Sequence, residues 1–252
     1  MDTIWIMLLA VVGFNLAMFV PAYIYKTDKL TDISYALSFV VLILFSYGGS
    51  SQKWPHVLMT LFVIWWAVRL GGFLLMRIRN KGKDKRFDGM RENPVKFLRF
   101  WLLQGVSVFV VLISALLFMQ VKNPQISAFA IVGIIIFGVG LYIEATADLQ
   151  KWHFSQDVKN KGKWIESGIW SKSRHPNYLG EMMVWGGLYV FAFTSLSSTE
   201  RLVALLSPVY IIVLLLFVSG IPLLEKSADK KWGSQKTYQD YKKRVPKLLP
   251  KL

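Results

Sequence analysis

Long uncharged apolar runs alternate along the chain with short segments that hold most of its Lys and Arg residues. A helix needs about 20 apolar residues to cross a bilayer, because its backbone amides must all be bonded within the segment. Seven runs approach this length, at Ile4–Ile24, Ile33–Tyr47, Pro55–Met76, Phe97–Met119, Ile126–Glu144, Tyr178–Leu196 and Leu202–Ile221. The pattern predicts an all-α, polytopic membrane protein of about seven transmembrane helices.

Composition agrees with this pattern. The 252 residues are 54% hydrophobic, yet they include 30 Lys and Arg against 15 Asp and Glu. Such a chain must separate charge from apolar surface, as repeated membrane crossings do. With no linker or internal repeat evident, we expect one membrane domain over residues 1–252, with N-terminal spans in 1–125 and a C-terminal half in 126–252.

The basic residues also predict orientation, since Lys and Arg in short loops are retained on the cytoplasmic side. Nine of them fall in 77–99, six in 151–174 and nine in 226–251, whereas the alternate loops hold only Lys53, Lys122 and Arg201. We therefore expect an outside N-terminus and a cytoplasmic C-terminus. The first run lacks a basic leader and a small-residue cleavage site, so we interpret it as a retained span in a bacterial inner or ER-type membrane.

Several chemistries are disfavoured. The chain has no Cys and only three His, none at metal-ligand spacing, so no metal site is expected. It has no phosphate loop or dinucleotide fingerprint, and the pairs Gly71-Gly72 and Gly186-Gly187 are expected to allow close helix packing. The basic segments lack a nucleic-acid-binding fold, so we expect anionic lipid and a phosphorylated small molecule as partners rather than nucleic acid.

Two acids stand at the inner end of the fifth run. Glu144 and Asp148 are four residues apart and would share a helix face with Lys151. Acids at membrane depth are costly unless they face protein or a water-filled cavity, so they indicate a functional site. The alternative is a helix end that has merely reached the headgroups.

A second polar segment leads into the sixth run. Pro176 suits the first turn of a helix, which leaves Asn177, Tyr178 and Glu181 on the opening turns and Trp185 on the same face. A helix N-terminus that carries Arg, His, Asn, Tyr and Glu suits a polar ligand with anionic groups. The alternative is an interfacial aromatic belt.

Arg69 lies inside the third run, where a cation needs an acid or an aqueous cavity. Glu144, Asp148 and Glu181 are its candidate partners. If Arg69 instead extends to the nearby cytoplasmic surface, it says nothing about function.

These residues also carry a family resemblance. The stretches A-D-L-Q-K-W-H-F, G-I-W-S-K-S-R-H-P-N-Y-L-G-E and V-W-G-G, with W-A-V-R-L-G-G-F and K-D-K-R-F-D upstream, resemble the steroid 5-alpha-reductase C-terminal domain superfamily, in its DUF1295 branch of membrane proteins. The likeness covers most of the chain. It implies a seven-helix fold whose cytoplasmic half binds NADPH, and a lipophilic substrate that enters from the bilayer and receives a hydride at an activated double bond.

The resemblance and the residue pattern together give the candidate site. Arg174 and His175 would serve the phosphates or ribose, and a tyrosine in the closing motif would contact the cofactor. The candidate cofactor-binding residues are Glu144, Asp148, Lys151, Trp170, Arg174, His175, Asn177, Tyr178, Glu181, Trp185 and Tyr241, and the candidate catalytic residues are Tyr178, Glu181 and Arg69.

Two departures from the steroid reductases bear on the chemistry. Glu144 stands where they carry Asn, and Trp66 stands where their catalytic Tyr aligns. Because an indole cannot protonate an enone oxygen, Tyr178 or another group would have to be the acid.

Two other functions stay open. R-H-P-x-Y is similar to an element of membrane isoprenylcysteine and phospholipid methyltransferases, which bind S-adenosylmethionine. The A-D-L-Q-K block and Glu181 favour the reductases, and Glu225 alone stands where the methyltransferases close with paired acids. A non-enzymatic lipid-binding protein would leave the charged helix ends unexplained. Oligomeric state is left open by the sequence.

Overall fold

A computed structural model describes residues 2–81 and 87–250. Within these ranges the chain forms α-helices and short 3-10 or π turns, with no β-strand. The helices are α1 Asp2–Ile24, α2 Lys29–Gly48, α3 Trp54–Lys81, α4 Pro94–Met119, α5 Ala128–Gln156, α6 Pro176–Ala192, α7 Ser198–Ala204, α8 Leu206–Val213, α9 Ile221–Trp232 and α10 Lys236–Arg244. The all-α prediction is confirmed; residues 82–86 of the predicted basic loop and Lys251 of the tail lie outside the described residues.

Six helical runs among the described residues are long and apolar enough to cross a membrane: Thr3–Ile24, Lys29–Gly48, Trp54–Ile78, Pro94–Met119, Ala128–Gln156 and Ser198–Trp232. The chain is a multi-pass integral membrane protein. The count differs from the seven predicted because the run Tyr178–Leu196 folds as α6, of 17 residues, followed by a 3-10 turn at Phe193–Ser195. At 1.5 Å per residue, α6 is about 26 Å long, slightly less than the hydrocarbon core.

The fifth predicted span is longer than its apolar pattern. Instead of ending at Glu144, α5 continues to Gln156 through A-D-L-Q-K-W-H-F. Ala, Leu, Gln and Lys are all good helix formers, so the polar segment extends the helix. Glu144 and Asp148 therefore lie one turn apart on a continuous helix, as predicted.

The chain divides into two compact units. The first consists of the described residues up to Ser127 with Ala192–Ser207, and the second of Ala128–Phe191 with the described residues from Pro208 onward. Most candidate site residues belong to the second unit. Arg69, on α3, belongs to the first.

A buried amide fastens the first unit. Asn15 of α1 is fully buried; its Nδ2 donates to Ser38 Oγ of α2 at 3.0 Å, and its Oδ1 accepts from Gln104 Nε2 of α4 at 3.0 Å. In a membrane, where apolar burial between helices contributes little, such hydrogen bonds help to hold helices together. Trp66 is also fully buried, edge-on to Phe39 at a centroid distance of 4.9 Å, so it acts in this unit as a core residue.

Candidate functional site

Helices α5 and α6 meet backbone to backbone through paired glycines. A Cβ built on Gly140 of α5 would lie 2.7 Å from the Gly180 carbonyl oxygen of α6. One on Gly187 would lie 2.6 Å from the Phe137 backbone nitrogen, and one on Gly133 would lie 2.6 Å from the Gly187 oxygen. Small residues allow this approach between membrane helices. The contact fixes the register of α5 against the start of α6.

The close-packing prediction for the sequential glycine pairs is thus only partly correct. Gly187 does pack against α5, and a Cβ on Gly71 would lie 3.0 Å from Ala36 Cβ. Their partners Gly186 and Gly72 have nothing within 4 Å of a built Cβ. Adjacent residues point about 100° apart on a helix, so one member of each pair must face elsewhere.

The fixed register brings the acids of α5 to the first turns of α6. Glu144 is 3% exposed and Asp148 is 7% exposed. Asn177 Nδ2 donates to Asp148 Oδ1 at 3.4 Å. Asp148 and Asn177, which were predicted to share a site, are therefore in contact. Both acids are buried in protein, so they are not simply at a helix end that has reached the headgroups.

A turn that depends on Gly168 packs against α5 next to Asp148. Gly168 has a left-handed backbone (φ +60°), and a Cβ there would lie 2.4 Å from Gln150 Oε1. Ile169 N–H donates to that oxygen at 3.0 Å. The turn places Trp170 so that its Nε1 donates to the Ala147 carbonyl at 3.1 Å, with Lys151 Nζ 4.8 Å from its ring centroid. Trp170 thus packs on α5 beside Lys151, which lies one turn after Asp148.

The R-H-P-N-Y segment leads into α6, which begins at Pro176, so the prediction that this proline lies in the first turn of a helix is confirmed. The His175 ring lies parallel to Tyr178, with centroids 5.9 Å apart and an interplanar angle of 10°. Glu181 is half-buried on the next turn, and Trp185 is fully buried. His175 and Tyr178 therefore lie together at the start of α6, and Trp185, further along the same helix, is a core residue.

Glu225, which was not among the predicted site residues, contacts two of them. Glu225 of α9 accepts two hydrogen bonds from Arg174, from Nε at 3.2 Å and Nη2 at 3.1 Å. Its Oε1 is also 2.8 Å from His175 Nε2, and its Oε2 is 3.3 Å from Lys242 Nζ. Lys242 in turn bonds Asp229, one turn further along α9, at 2.6 Å. Glu225 therefore joins α9 and α10 to the start of α6.

A break in the helical run lies just before α9, the helix that carries Glu225. The helical run changes to a π turn at Leu214–Val218 and stops at Gly220 before α9 begins. A Cβ on Gly220 would lie 2.5 Å from the Leu215 carbonyl oxygen, so only glycine fits. Such π turns often mark functional sites.

Arg174 also holds the C-terminal segment. Its Nη1 donates to the carbonyls of Lys242 and Val245 at 2.8 and 3.3 Å, and its backbone N–H donates to the Pro246 carbonyl at 3.0 Å. With the two bonds to Glu225, four of the five guanidinium N–H groups have protein acceptors. Arg174 is therefore built into the protein, which favours a supporting role over direct capture of a phosphate.

Tyr241 lies in an aromatic cluster. With Tyr238 it packs against Trp164 and Trp232, and the Trp164 centroid is 5.1 Å from Tyr238 and 6.1 Å from Tyr241. Burial raises the pKa of Tyr241 to about 12. The phenol stays protonated at physiological pH and can donate a hydrogen bond.

Burial favours the neutral form of the His175 imidazole. Burial, the largest effect, lowers its pKa below the usual value, while the hydrogen bond and charge of Glu225 act in the opposite direction. The Glu225 contact favours the tautomer in which Nε2 carries the proton, which leaves Nδ1 as an acceptor.

The acids of α9 also change one expectation from the sequence. The expectation that Glu225 stands alone in its region is wrong, because Asp229 follows on the same helix and shares Lys242 with it. The absence of paired acids is thus a weaker argument against a methyltransferase. The sequence signal for Glu225 is an acid that directly follows a long apolar run. Arg69 belongs to the first unit, and its role stays a prediction.

The chain is similar to one curated protein over a short stretch and to one family model over most of its length. A curated relative, "Probable O-methyltransferase ustE" from Ustilaginoidea virens, is 39% identical over 56 residues, which cover 22% of this chain and 18% of that protein. No solved structure matches the chain. The family model described as "Protein of unknown function (DUF1295)" matches residues 18–245, nearly the whole chain. The chain therefore belongs to the DUF1295 family.

Proposed function

We propose that the protein is a membrane-embedded, NADPH-dependent reductase of an activated C=C bond in a lipophilic, steroid- or isoprenoid-like substrate. The observation that carries this proposal is the contact of Asp148 with Asn177, 3.4 Å apart, at the junction of α5 and α6. A carboxylate and an amide at one point offer both an acceptor and donors, the groups that ribose hydroxyls and a carboxamide require.

Other residues of the second unit would supply the positive charge and the hydrogen-bond donor that a dinucleotide also needs. Lys151, on the face of α5 that carries Asp148, and the exposed Lys172 supply positive charge for phosphates. Trp170 is 3% exposed, so it would support this segment from within the protein, and the protonated phenol of Tyr241 offers a donor. Arg174 would position this segment, since most of its N–H groups are engaged.

When bound, NADPH would supply the hydride. The second hydrogen is a proton, and Tyr178 is the proposed donor because Trp66, at the position of the reductases' tyrosine, lies in the core of the first unit. Tyr178 stacks on His175, which is bonded to Glu225, so His175 would hold the Tyr178 ring in place, and water would return the proton to the phenol after each turnover.

A second candidate function is O-methyl transfer from S-adenosylmethionine. It is favoured by the printed name of the ustE relative and by the His175–Glu225 pair, a suitable base for a substrate hydroxyl. The buried acids Glu144 and Asp148 would suit a cationic ligand.

A binding titration of the purified protein in detergent separates the two. We expect saturable NADPH binding, weakened about tenfold or more in Asp148→Asn, because a charged hydrogen-bond acceptor is lost. Asp157→Asn makes the same change at an exposed acid of the second unit and should bind as the wild type does. Saturable binding of S-adenosylmethionine alone would refute the reductase proposal.

A further inference from the structure

We infer that Glu225 is a positioning residue: it holds the His175 ring and the Arg174 guanidinium in one fixed arrangement at the start of α6. This assignment deepens the proposed function, on which its cofactor prediction rests. It concerns a residue 50 positions away in sequence from the histidine that it contacts.

The geometry of the carboxylate is the first argument. Both oxygens of Glu225 are used: Oε1 accepts from Arg174 Nε and contacts His175 Nε2, and Oε2 accepts from Arg174 Nη2. A bidentate arginine pair fixes the plane of a carboxylate, and the carboxylate then fixes the imidazole. The His175 ring is consequently held parallel to Tyr178.

Burial is the second argument. The side chains of Arg174, His175 and Glu225 are 10%, 8% and 15% exposed. In such surroundings ion pairs and hydrogen bonds are screened much less than at a surface. Removal of the carboxylate would leave a shielded arginine with fewer acceptors and the imidazole without its partner.

The charged and titratable groups around His175 come from three helices and its own segment. The ones that act most on its titration or stack on its ring are Glu225 of α9, Lys151 of α5, Tyr178 of α6 and the adjacent Arg174, and the acids Asp148 of α5 and Glu181 of α6 belong to the same two helices. Glu225 contacts the imidazole directly and raises the pKa of His175, whereas burial and the two cations lower it. The His175 titration therefore reports directly on the Glu225 contact, whether or not a cofactor binds.

The test compares Glu225→Gln with Asp229→Asn. Both changes neutralise an acid on α9 that contacts Lys242, but only Glu225 contacts Arg174 and His175. The chain has three histidines, so ring-labelled protein gives three NMR titrations, and His175→Gln identifies the relevant one. We expect the His175 midpoint to fall in Glu225→Gln and its Nε2–H tautomer signal to change. Asp229→Asn should leave both unchanged.

The cofactor prediction is measured separately. Glu225→Gln should weaken NADPH binding about tenfold, the loss of one modest interaction, while Asp229→Asn should not. An unchanged His175 titration in folded Glu225→Gln would overturn the positioning role. If the titration shifts but wild-type protein binds no NADPH, the positioning role holds and the reductase proposal fails. Should Glu225→Gln not fold, Glu225→Asp, which keeps the charge and shortens the reach, takes its place with the same expected downward shift.

Discussion

Gly140 of α5 and Gly180 of α6 lie so close that each helix occupies the space of the other's missing side chain. A Cβ on Gly180 would lie 2.6 Å from the Glu144 backbone nitrogen. Asp148 can reach Asn177 because of this contact. The glycines therefore belong to the proposed site although they carry no functional group.

Gly140→Ala should destabilise the protein by about 1–3 kcal/mol, since the new methyl group would force the two backbones apart. Gly138→Ala is the matched control, because a Cβ there has nothing within 4 Å and Ala is the better helix former. Thermal unfolding in detergent, followed by tryptophan fluorescence, compares them. Equal midpoints for the two variants would refute the close-contact account.

Asp28→Asn should cost about 2–3 kcal/mol, because Arg91, whose side chain is 5% exposed, would lose a buried charged partner at 2.5 Å while it keeps the pair with Asp88. Asp32→Asn breaks the Arg77 pair, whose side chains are 31% and 25% exposed, and should cost about 1 kcal/mol or less. Unfolding midpoints of the two variants check this order. A greater loss in Asp32→Asn would contradict it.

Tyr241→Phe should weaken NADPH binding about fivefold to tenfold, the value of one hydrogen bond, and leave the fold intact because the ring still packs on Trp164. With a pKa of about 12, the phenol keeps its proton, so its contribution should stay constant from about pH 7 to 10. Tyr238→Phe, in the same cluster, is the control. An affinity in Tyr241→Phe equal to that in the control would exclude a direct contact.

The orientation predicted from the basic loops can be measured with single cysteines, since the chain has none. Ser51→Cys and Ser234→Cys, both at exposed positions, should differ: an impermeant maleimide should label residue 51 in intact cells and residue 234 only after permeabilisation. The reverse pattern would invert the topology.

The features that followed from the sequence are those with a local cause. Apolar run length predicts the spans, Pro176 marks the start of α6, and the Glu144–Asp148 spacing predicts a shared face on α5. Each depends on residues within a few turns of one another. Periodicity was less informative where a helix continued through polar residues, as at the end of α5.

The features of the site that the sequence does not predict depend on contacts between segments far apart in the chain. Glu225 is 51 residues from Arg174, and nothing local to α9 specifies that contact. The sequence predicts close packing at adjacent pairs such as Gly186-Gly187, but it does not predict that Gly140 meets Gly180, because the facing helix decides which glycine is used. Tertiary packing, rather than a motif, completes the candidate site.

The central claim is hydride transfer to a lipophilic substrate. The most direct measurement incubates the protein in membranes with a lipid extract, NADPH deuterated at the transferable position and S-adenosylmethionine carrying a labelled methyl group. The account predicts deuterium in a reduced lipid, with NADP+ formed in equal amount, and labelling about tenfold slower in Asp148→Asn when NADPH is subsaturating. Transfer of the labelled methyl group, with no deuterium in any lipid, would contradict it.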